Sequence, residues 1–204
     1  MYEREIKIYD DNVGSVAYVQ HMGSDITIVN SARVSFGVEK SSLDGRDKRL
    51  INYLIKHKHT STLEHNLVTF KFVVPLFVRS QHHRHRTWSY NEISRRYTDK
   101  DLRFYEPRAF RTQHESNRQA SNPNDLIDPN VSEPREGSLV PPIMFHASDA
   151  VRIHHEQSLK LFNRLLKSGV CREQARGVLP QNLYTEYYGT VNLNNLLKFV
   201  NLRT

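Results

Sequence analysis

Alternating apolar and polar positions predict the β-strands of this chain. In the clearest case, four apolar residues share one side of an extended segment: Val68, Phe70, Phe72 and Val74. This alternation predicts a strand that ends at Pro75. Residues typical of strands also occur at 5–8, 14–20 and 183–191, and each of these segments is predicted to be a strand.

Apolar residues three and four positions apart predict the helices. The predicted helices cover 24–35, 46–57, 143–167, 171–178 and a last segment capped by Asn192. The second helix has an apolar stripe of four residues: Leu50, Ile51, Leu54 and Ile55. Ser61 and Glu64 have the spacing of a capping box, which predicts a short helical turn there.

The segment 113–138 has no apolar period. It is polar and contains Pro123, Pro129 and Pro134, so it is predicted to be a surface loop or insertion.

The remaining elements mix strands and helices without an internal repeat. Residues 1–204 are therefore predicted to form a single compact α+β domain, with a small β-sheet and flanking helices.

Composition narrows the class of protein. With 38% hydrophobic and 25% charged residues, the 204-residue chain has the make-up of a globular protein. No apolar run approaches the roughly 20 residues that cross a bilayer. The one cysteine, Cys171, excludes an internal disulfide and fits a reducing cytosol, so a cytoplasmic protein is expected. No activating base is near Cys171 in the sequence, and it is interpreted as a buried packing residue.

Positive charge is concentrated in one segment. Between Arg79 and Tyr97 there are five arginines and one acid, a net +4 of the chain's formal +7. The core of this segment is RHRTWSYNEISRRY, residues 84–97. Ser89 and Glu92 again have capping-box spacing, so a helix is predicted to begin at Ser89. Its free N–H groups beside Arg84 and Arg86 would form an anion site.

Three interpretations of this segment remain open from the residues alone. Arginine forks among Ser, Asn and Gln suit a phosphorylated small molecule. A solvated basic helix and a nucleic-acid-binding surface are the alternatives. The histidines at 57, 59, 65, 82, 83 and 85 could suggest a metal site, but neighbouring arginines oppose a dication and no cysteine accompanies them. No metal is therefore expected.

The segment resembles the RHR-x-x-S-x-N-x-x-S-x-R signature of the flavin-dependent thymidylate synthases. Further segments resemble that family in the same order: SARVSF (31–36), HxHxSxLEH (57–65), AR-x-VLP-x-NLYT (175–185) and TVN…FVNLR (190–203). The resemblance covers most of the chain and is weakest over 106–145.

The resemblance implies an enzyme that methylates dUMP to dTMP. Methylenetetrahydrofolate would supply the one-carbon unit, and FAD would relay a hydride from NADPH. The family fold is a compact α/β domain that assembles into a homotetramer with active sites shared between subunits. We expect no nucleic-acid or membrane partner. The absence of a cysteine in a nucleophile context agrees with a flavin mechanism, which needs no thiol.

Site residues follow from the resemblance by position. The residues expected to contact dUMP are Gln81, Arg84, Glu92, Ser94, Arg95, Arg96, Arg176 and Arg203. Those expected to contact FAD are Ser35, His59, Ser61, Arg84, His85, Arg86, Glu92, Asn192, Asn194 and Lys198. Arg203 resembles the catalytic residue that stabilises the ionised uracil N3. A guanidinium suits this role because it keeps its proton.

The match departs from the family pattern at several positions. Asn194 stands where some members have arginine, and Lys198 where some have asparagine, so FAD binding is expected to differ in detail. Arg95 occupies a position where glycine also occurs. The family pattern continues beyond Arg203, so a C-terminal truncation relative to the family is expected. The alternative function is a fragment that binds dUMP and FAD without turnover.

Overall fold

The computed structural model describes residues 4–132 and 143–203. The described residues of Met1–Ile93 and Thr185–Thr204 form one compact unit, and those of Ser94–Tyr184 form a second. We call these the sheet unit and the hairpin unit. The prediction of a single domain stays a prediction.

The secondary structure alternates between strands and helices. In chain order the elements are β1 (Arg4–Lys7), β2 (Ser15–Met22), α1 (Asp25–Arg33), α2 (Gly45–Lys56), β3 (Leu67–Pro75), α3 (Leu76–His82), β4 (Ser89–Glu92), β5 (Phe110–Gln113), β6 (Ser121–Ile127), β7 (Asn130–Ser132), β8 (Met144–His146), α4 (Ala147–Lys167), α5 (Arg172–Ala175), β9 (Tyr184–Asn192) and α6 (Leu193–Arg203). Short 3₁₀ turns cover Val34–Phe36, Thr60–Leu63 and Arg176–Val178. The predicted α+β class is confirmed.

A five-stranded sheet in the order β1-β2-β3-β9-β4 organises the sheet unit. The pairs β1–β2, β2–β3 and β4–β9 are antiparallel. The four strands predicted from the sequence are all present as β1, β2, β3 and β9. The core on this sheet contains Phe72, Val74, Trp88, Tyr187 and Val191. Two residues of the alternating segment, Phe72 and Val74, are thus buried in this core, and Val68 and Phe70 pack against it.

The helices of the sheet unit begin largely where the sequence predicted. Ser24 caps α1, and the side chain of Asn192 accepts from the backbone N–H of Asn195 (2.9 Å) at the start of α6. In α2, Leu54 is buried against Ile28 and Leu63. Ile55 was predicted to belong to the same apolar stripe, but it is 46% exposed. Four apolar positions within six residues span too wide an arc for one contact face.

The capping-box prediction at Ser89 is wrong, and with it the predicted anion site at a helix N-terminus. Residues 89–92 are strand β4, and Ser89 pairs with Thr190 of β9. Tyr90 and Glu92 are half-buried while Ser89 and Asn91 are exposed, which is the period of a strand. Pairing with β9 satisfies the backbone hydrogen-bonding groups of β4, and this stabilises the strand more than the local cap would stabilise a helix.

The helix near this segment is α3, which lies upstream and was not predicted. It follows β3 without a loop, and Pro75 is its N-cap with φ −64°. The apolar residues after Pro75 continue the composition of the strand, so the sequence carries no change of pattern at the boundary. This short helix carries Arg79 and Gln81 and leads into the arginine-rich segment.

A buried carboxylate connects SARVSF to the chain that follows it. The Asp47 side chain is fully buried and accepts from Nη2 of Arg33 (2.8 Å), from the backbone N–H of Asp44 (2.9 Å) and from Nζ of Lys40. The hydrogen bond from Lys40 is the largest cause that holds the pKa of Asp47 well below its usual range. The carboxylate is thus a fixed anchor between α1 and α2.

The hairpin unit contains the long helix α4 and two small antiparallel sheets, β5–β6 and β7–β8. The helix starts at Ala147 rather than at Ile143, because 144–146 form β8. Gly169, with φ +86°, follows its end as predicted. Cys171 is exposed at the N-cap of α5, so its interpretation as a buried packing residue is wrong.

The segment predicted as a surface loop, 113–138, differs from that expectation where it is described. It contains β6 and β7, which are largely exposed. Short strands of polar residues bury no face, so no alternation marks them in the sequence. Residues 133–138 lie outside the described part.

Candidate functional site

The loop after α3 presents the first three residues of the signature. Arg84 and Arg86 are exposed, and His85 between them is half-buried. Within residues 4–132 and 143–203, neither guanidinium has a hydrogen-bond or ion-pair partner. Gln81, on the last turn of α3, is also exposed, and its backbone carbonyl accepts from the N–H of Arg84 (3.2 Å). The loop therefore presents two exposed cationic forks.

Tyr90 anchors this loop to the sheet through two hydrogen bonds. Its hydroxyl donates to the backbone carbonyls of His82 (3.0 Å) and His85 (3.1 Å). Burial raises the pKa of Tyr90 to about 12, so the hydroxyl stays a donor at neutral pH. Because Tyr90 lies on β4, the strand that replaced the predicted helix sets the position of Arg84 and Arg86.

His82 lies inside the aromatic core under the same loop. It is 7% exposed, and its Nδ1 is 2.8 Å from the hydroxyl of Tyr187. Its ring meets Phe72 and Trp88 edge-on, with centroids 4.8 and 4.6 Å away. Burial, with a smaller effect of nearby cationic groups, lowers the pKa of His82 to about 4. The ring is therefore neutral at physiological pH and packs as an aromatic residue.

The C-terminal end of α6 meets the signature at His85. Nη2 of Arg203 is 3.2 Å from Nε2 of His85, and the ring of Phe199 lies edge-on to the same imidazole at 4.8 Å. Burial and the Arg203 charge both lower the pKa of His85. A neutral imidazole can accept the guanidinium N–H at Nε2. The predicted catalytic arginine and the signature are thus brought together.

Glu92 ends β4 and is held by two residues that the sequence analysis did not single out. Arg79 donates Nε to Oε1 (3.0 Å) and pairs through Nη2 with Oε2 (2.9 Å). Thr185 of β9 donates its hydroxyl to Oε1 (2.6 Å). No local spacing links these three residues, because 93 positions separate Glu92 from Thr185. Glu92 is therefore not a free carboxylate.

Three residues predicted to contact FAD cap α6 or lie within it. Asn192 uses its side-chain oxygen as the helix cap, and Asn194 is 4% exposed and donates to Oε1 of Glu64 (2.9 Å). Glu64 therefore does not close the capping box predicted with Ser61, although the predicted turn is present as Thr60–Leu63. Lys198 is exposed and has no polar partner in the described part of the chain.

Ser35 lies in the 3₁₀ turn Val34–Phe36, His59 is the N-cap of the turn Thr60–Leu63, and Ser61 lies within that turn. All three residues are exposed. The Ser35 hydroxyl donates to the carbonyl of Ala32 in α1 (3.3 Å). His59 stacks on Tyr53 with centroids 6.1 Å apart. These residues are accessible to a ligand, and their role in FAD binding stays a prediction.

The remaining predicted dUMP contacts lie in the hairpin unit. The Arg95 guanidinium donates to two backbone carbonyls: Nη1 donates to that of Lys100 (2.8 Å) and Nη2 to that of Tyr184 (3.3 Å). Arg96 forms an exposed ion pair with Glu173 at 3.5 Å. The Ser94 hydroxyl accepts from the N–H of Arg96 (3.3 Å). The exposed Arg176 has no polar side-chain partner among the described residues.

The part of the chain that the structure describes has neither a metal cluster nor a membrane-spanning helix. Its residues include no group of three histidine, cysteine or acidic side chains arranged to hold a metal ion. No helix among 4–132 and 143–203 is long and apolar enough to cross a membrane.

The α+β fold presents exposed arginines, a fixed carboxylate and a neutral histidine, and exposed guanidinium groups are suited to an anionic ligand. The sequence profile of the family described as Thymidylate synthase complementing protein matches residues 17–204. The chain belongs to this family, as the signature predicted.

Named relatives agree with this assignment. A flavin-dependent thymidylate synthase of Thermus thermophilus is 44% identical over 192 residues, which are 93% of this chain and 64% of the relative. The chain thus spans slightly less than two thirds of that relative. The flavin-dependent thymidylate synthase of Kosmotoga olearia is 38% identical over 202 residues, 98% of this chain and 79% of the relative.

Solved structures show the same fold. The UMP/dUMP methylase PolB of Streptomyces cacaoi, bound with 5-Br UMP, aligns with a TM-score of 0.68 and 32% identity. The alignment covers 92% of this chain and 75% of the methylase. The same methylase bound with 5-Br dUMP aligns with a TM-score of 0.70 at the same identity, covering 90% of this chain and 75% of the methylase.

Proposed function

We propose that this protein is a flavin-dependent thymidylate synthase that converts dUMP to dTMP. Methylenetetrahydrofolate supplies the carbon, and FAD relays a hydride from NADPH. The observation that carries the proposal is the contact between Arg203 and His85, because it joins the expected catalytic residue to the signature at 3.2 Å. The names of the relatives and of the aligned methylase support the same chemistry.

The donors of the sheet unit fit phosphorylated ligands. Arg84 and Arg86 have no polar side-chain partner among the described residues, and a planar guanidinium binds phosphate oxygens through two parallel hydrogen bonds. Gln81, Glu92 and Arg203 would complete the dUMP contacts of this unit. Ser94, Arg96 and Arg176 are the dUMP contacts predicted within the hairpin unit. Arg95 would contribute less, because its Nη1 and Nη2 already hold backbone carbonyls.

FAD would be held by the remaining residues of the predicted set. The exposed members Ser35, His59, Ser61 and Lys198 would contact the cofactor directly, with Arg84, His85, Arg86 and Glu92 shared between the two ligands. Asn192 and Asn194 would contribute less, since their side chains cap α6 and bind Glu64. When bound, the flavin accepts and donates the hydride.

Arg203 would act on the nucleotide base. A guanidinium stays protonated, so it can stabilise the negative charge of the uracil ring after N3 loses its proton. The ionised ring is nucleophilic at C5. His85 accepts one N–H of Arg203 and leaves the other N–H donors of that group for the base. A neutral His85 orients Arg203 without competing for the negative charge.

A homotetramer is part of the proposal. Val34, Phe36 and Val38 lie in the SARVSF segment and the residues after it, and Phe36 is 82% exposed. Neighbouring exposed apolar residues of this size are a typical subunit contact. Shared active sites would allow arginines from different subunits to reach one nucleotide.

The test is an FAD titration of the purified chain, followed by flavin fluorescence and by size-exclusion chromatography of the same sample. We expect saturable quenching by a species of tetrameric size. Addition of dUMP, methylenetetrahydrofolate and NADPH should then produce dTMP. A monomer that leaves FAD fluorescence unchanged would contradict the proposal. Binding of FAD and dUMP without any dTMP would exclude the synthase activity.

A further inference from the structure

Among the arginines of the basic segment, Arg79 has its side chain committed to a carboxylate. It lies on α3, and its Nε and Nη2 form two parallel contacts with Oε1 and Oε2 of Glu92, at 3.0 and 2.9 Å. Such a fork fixes the plane of the carboxylate as well as its distance. Arg84 and Arg86, a few residues further on, have no such partner in the described part of the chain. Arg79 therefore has a different role from its neighbours.

Thr185 closes the arrangement from the opposite strand. Its hydroxyl donates to Oε1 of Glu92 at 2.6 Å, and Thr185 is buried. The backbone of Glu92 is fixed as well, because Glu92 pairs with Tyr187 in the β4–β9 register. The carboxylate is thus held by a helix, a strand and a side chain of the neighbouring strand.

The Glu92 carboxylate keeps one hydrogen-bond acceptor position for a ligand. A carboxylate offers about four acceptor positions, two on each oxygen. On Oε1, both positions are used, by Arg79 Nε and by the Thr185 hydroxyl. On Oε2, Arg79 Nη2 uses one. Glu92 keeps 20% of its side chain exposed, so one acceptor position on Oε2 can face a ligand.

We propose that Arg79, assisted by Thr185, is a positioning residue that aims Oε2 of Glu92 at an N–H or O–H donor of the bound nucleotide. This inference rests on the proposed function, in which Glu92 contacts dUMP. A glutamate fixed before binding loses little rotamer freedom when the ligand arrives, which strengthens binding. Arg79 itself contacts no substrate in this arrangement.

The test is a double-mutant cycle on the FAD-loaded protein, with dUMP affinity as the readout. Arg79→Met should weaken dUMP binding about ten-fold, and by less than about two-fold when Glu92→Gln is already present. Arg79→Lys, which keeps the charge but not the fork, should recover part of the loss. Thr185→Ser keeps the hydroxyl, so it should reduce dUMP affinity less than Thr185→Val does. Arg49→Met, on the exposed face of α2, is the matched control.

The measurements distinguish a failure of the Arg79 inference from a failure of the proposed function. Equal losses from Arg79→Met in both backgrounds would show that Arg79 acts independently of Glu92 and would overturn the inference, as would no loss at all. If Arg79→Met does not fold, Arg79→Lys and the Thr185 pair are measured against Glu92→Gln in the same way. Wild-type protein that binds no dUMP would overturn the proposed function and the inference together.

Discussion

Nη2 of Arg203 lies 3.2 Å from Nε2 of His85, although 118 residues separate the two in sequence. The contact connects the last turn of α6 to the loop that follows α3. It needs a neutral imidazole as acceptor, and burial together with the Arg203 charge lowers the pKa of His85 in that direction. The position of the proposed catalytic group thus depends on a residue of the signature.

Replacing Arg203 by alanine should reduce turnover far more than nucleotide affinity. A donor that acts mainly on the developing anion is worth about 100-fold in kcat, on the order of 2.7 kcal/mol. The dissociation constant for dUMP should change by less than about three-fold. Steady-state kinetics and equilibrium dUMP binding on the same preparation give both values. Arg49→Ala controls for loss of an exposed arginine, and equal losses of kcat and affinity would contradict the assigned role.

Replacing Arg96 by alanine should weaken dUMP binding by more than about 1.5 kcal/mol if its side chain holds phosphate. Its ion pair with Glu173 has a separation of 3.5 Å, and both side chains are more than half exposed. That pair contributes little by itself. Glu173→Ala is therefore the control and should leave dUMP affinity nearly unchanged. Unaltered affinity in Arg96→Ala would identify a surface charge instead.

Local patterns predicted most of the fold but not the arrangement of the site. Val68, Phe70 and Phe72 alternate with polar residues, and Ser24 and Asn192 are caps, so the strand and helices that contain them could be predicted. The cap at Ser89 was misleading because its competitor, pairing with Thr190, comes from a distant segment. Long-range pairing of this kind leaves no trace in local spacing.

The same reason explains which site residues could be predicted. The family resemblance predicts site roles for Arg84, His85 and Glu92. It did not indicate that Arg79 and Thr185 hold Glu92, because that contact exists only when α3 and β9 meet the end of β4. Partners of a functional side chain come from tertiary contacts, and these require the structure.

Stability should fall as the pH is lowered, in part because of His82. The folded pKa is about 4, below the value of 6.5 in an unfolded chain. Above pH 6.5 neither state is protonated and stability is full. Between these values only the unfolded state gains a proton, so the free energy of unfolding decreases, by about 2 kcal/mol at about pH 5.

Urea unfolding at about pH 7 and about pH 5 measures this effect. His82→Gln keeps a polar partner for Tyr187 without a titrating ring, so the difference between the two pH values should shrink by about 2 kcal/mol. His154→Gln, at an exposed position of α4, should leave that difference unchanged. An undiminished difference in His82→Gln would show that other groups cause the acid sensitivity.

Gly23→Ala should destabilise the protein more than Gly169→Ala. Both glycines have φ +86°, where an alanine costs about 1–2 kcal/mol. A Cβ at Gly169 would meet nothing within 4 Å, whereas one at Gly23 would lie 1.8 Å from Oδ1 of Asn66. Asn66 is buried, and its backbone carbonyl accepts from the N–H of Leu193 (2.8 Å), so its freedom to move is limited. Chemical denaturation of the two variants should therefore show a loss at Gly23 exceeding that at Gly169 by about 1 kcal/mol or more. Equal losses would mean that Asn66 moves aside at no cost.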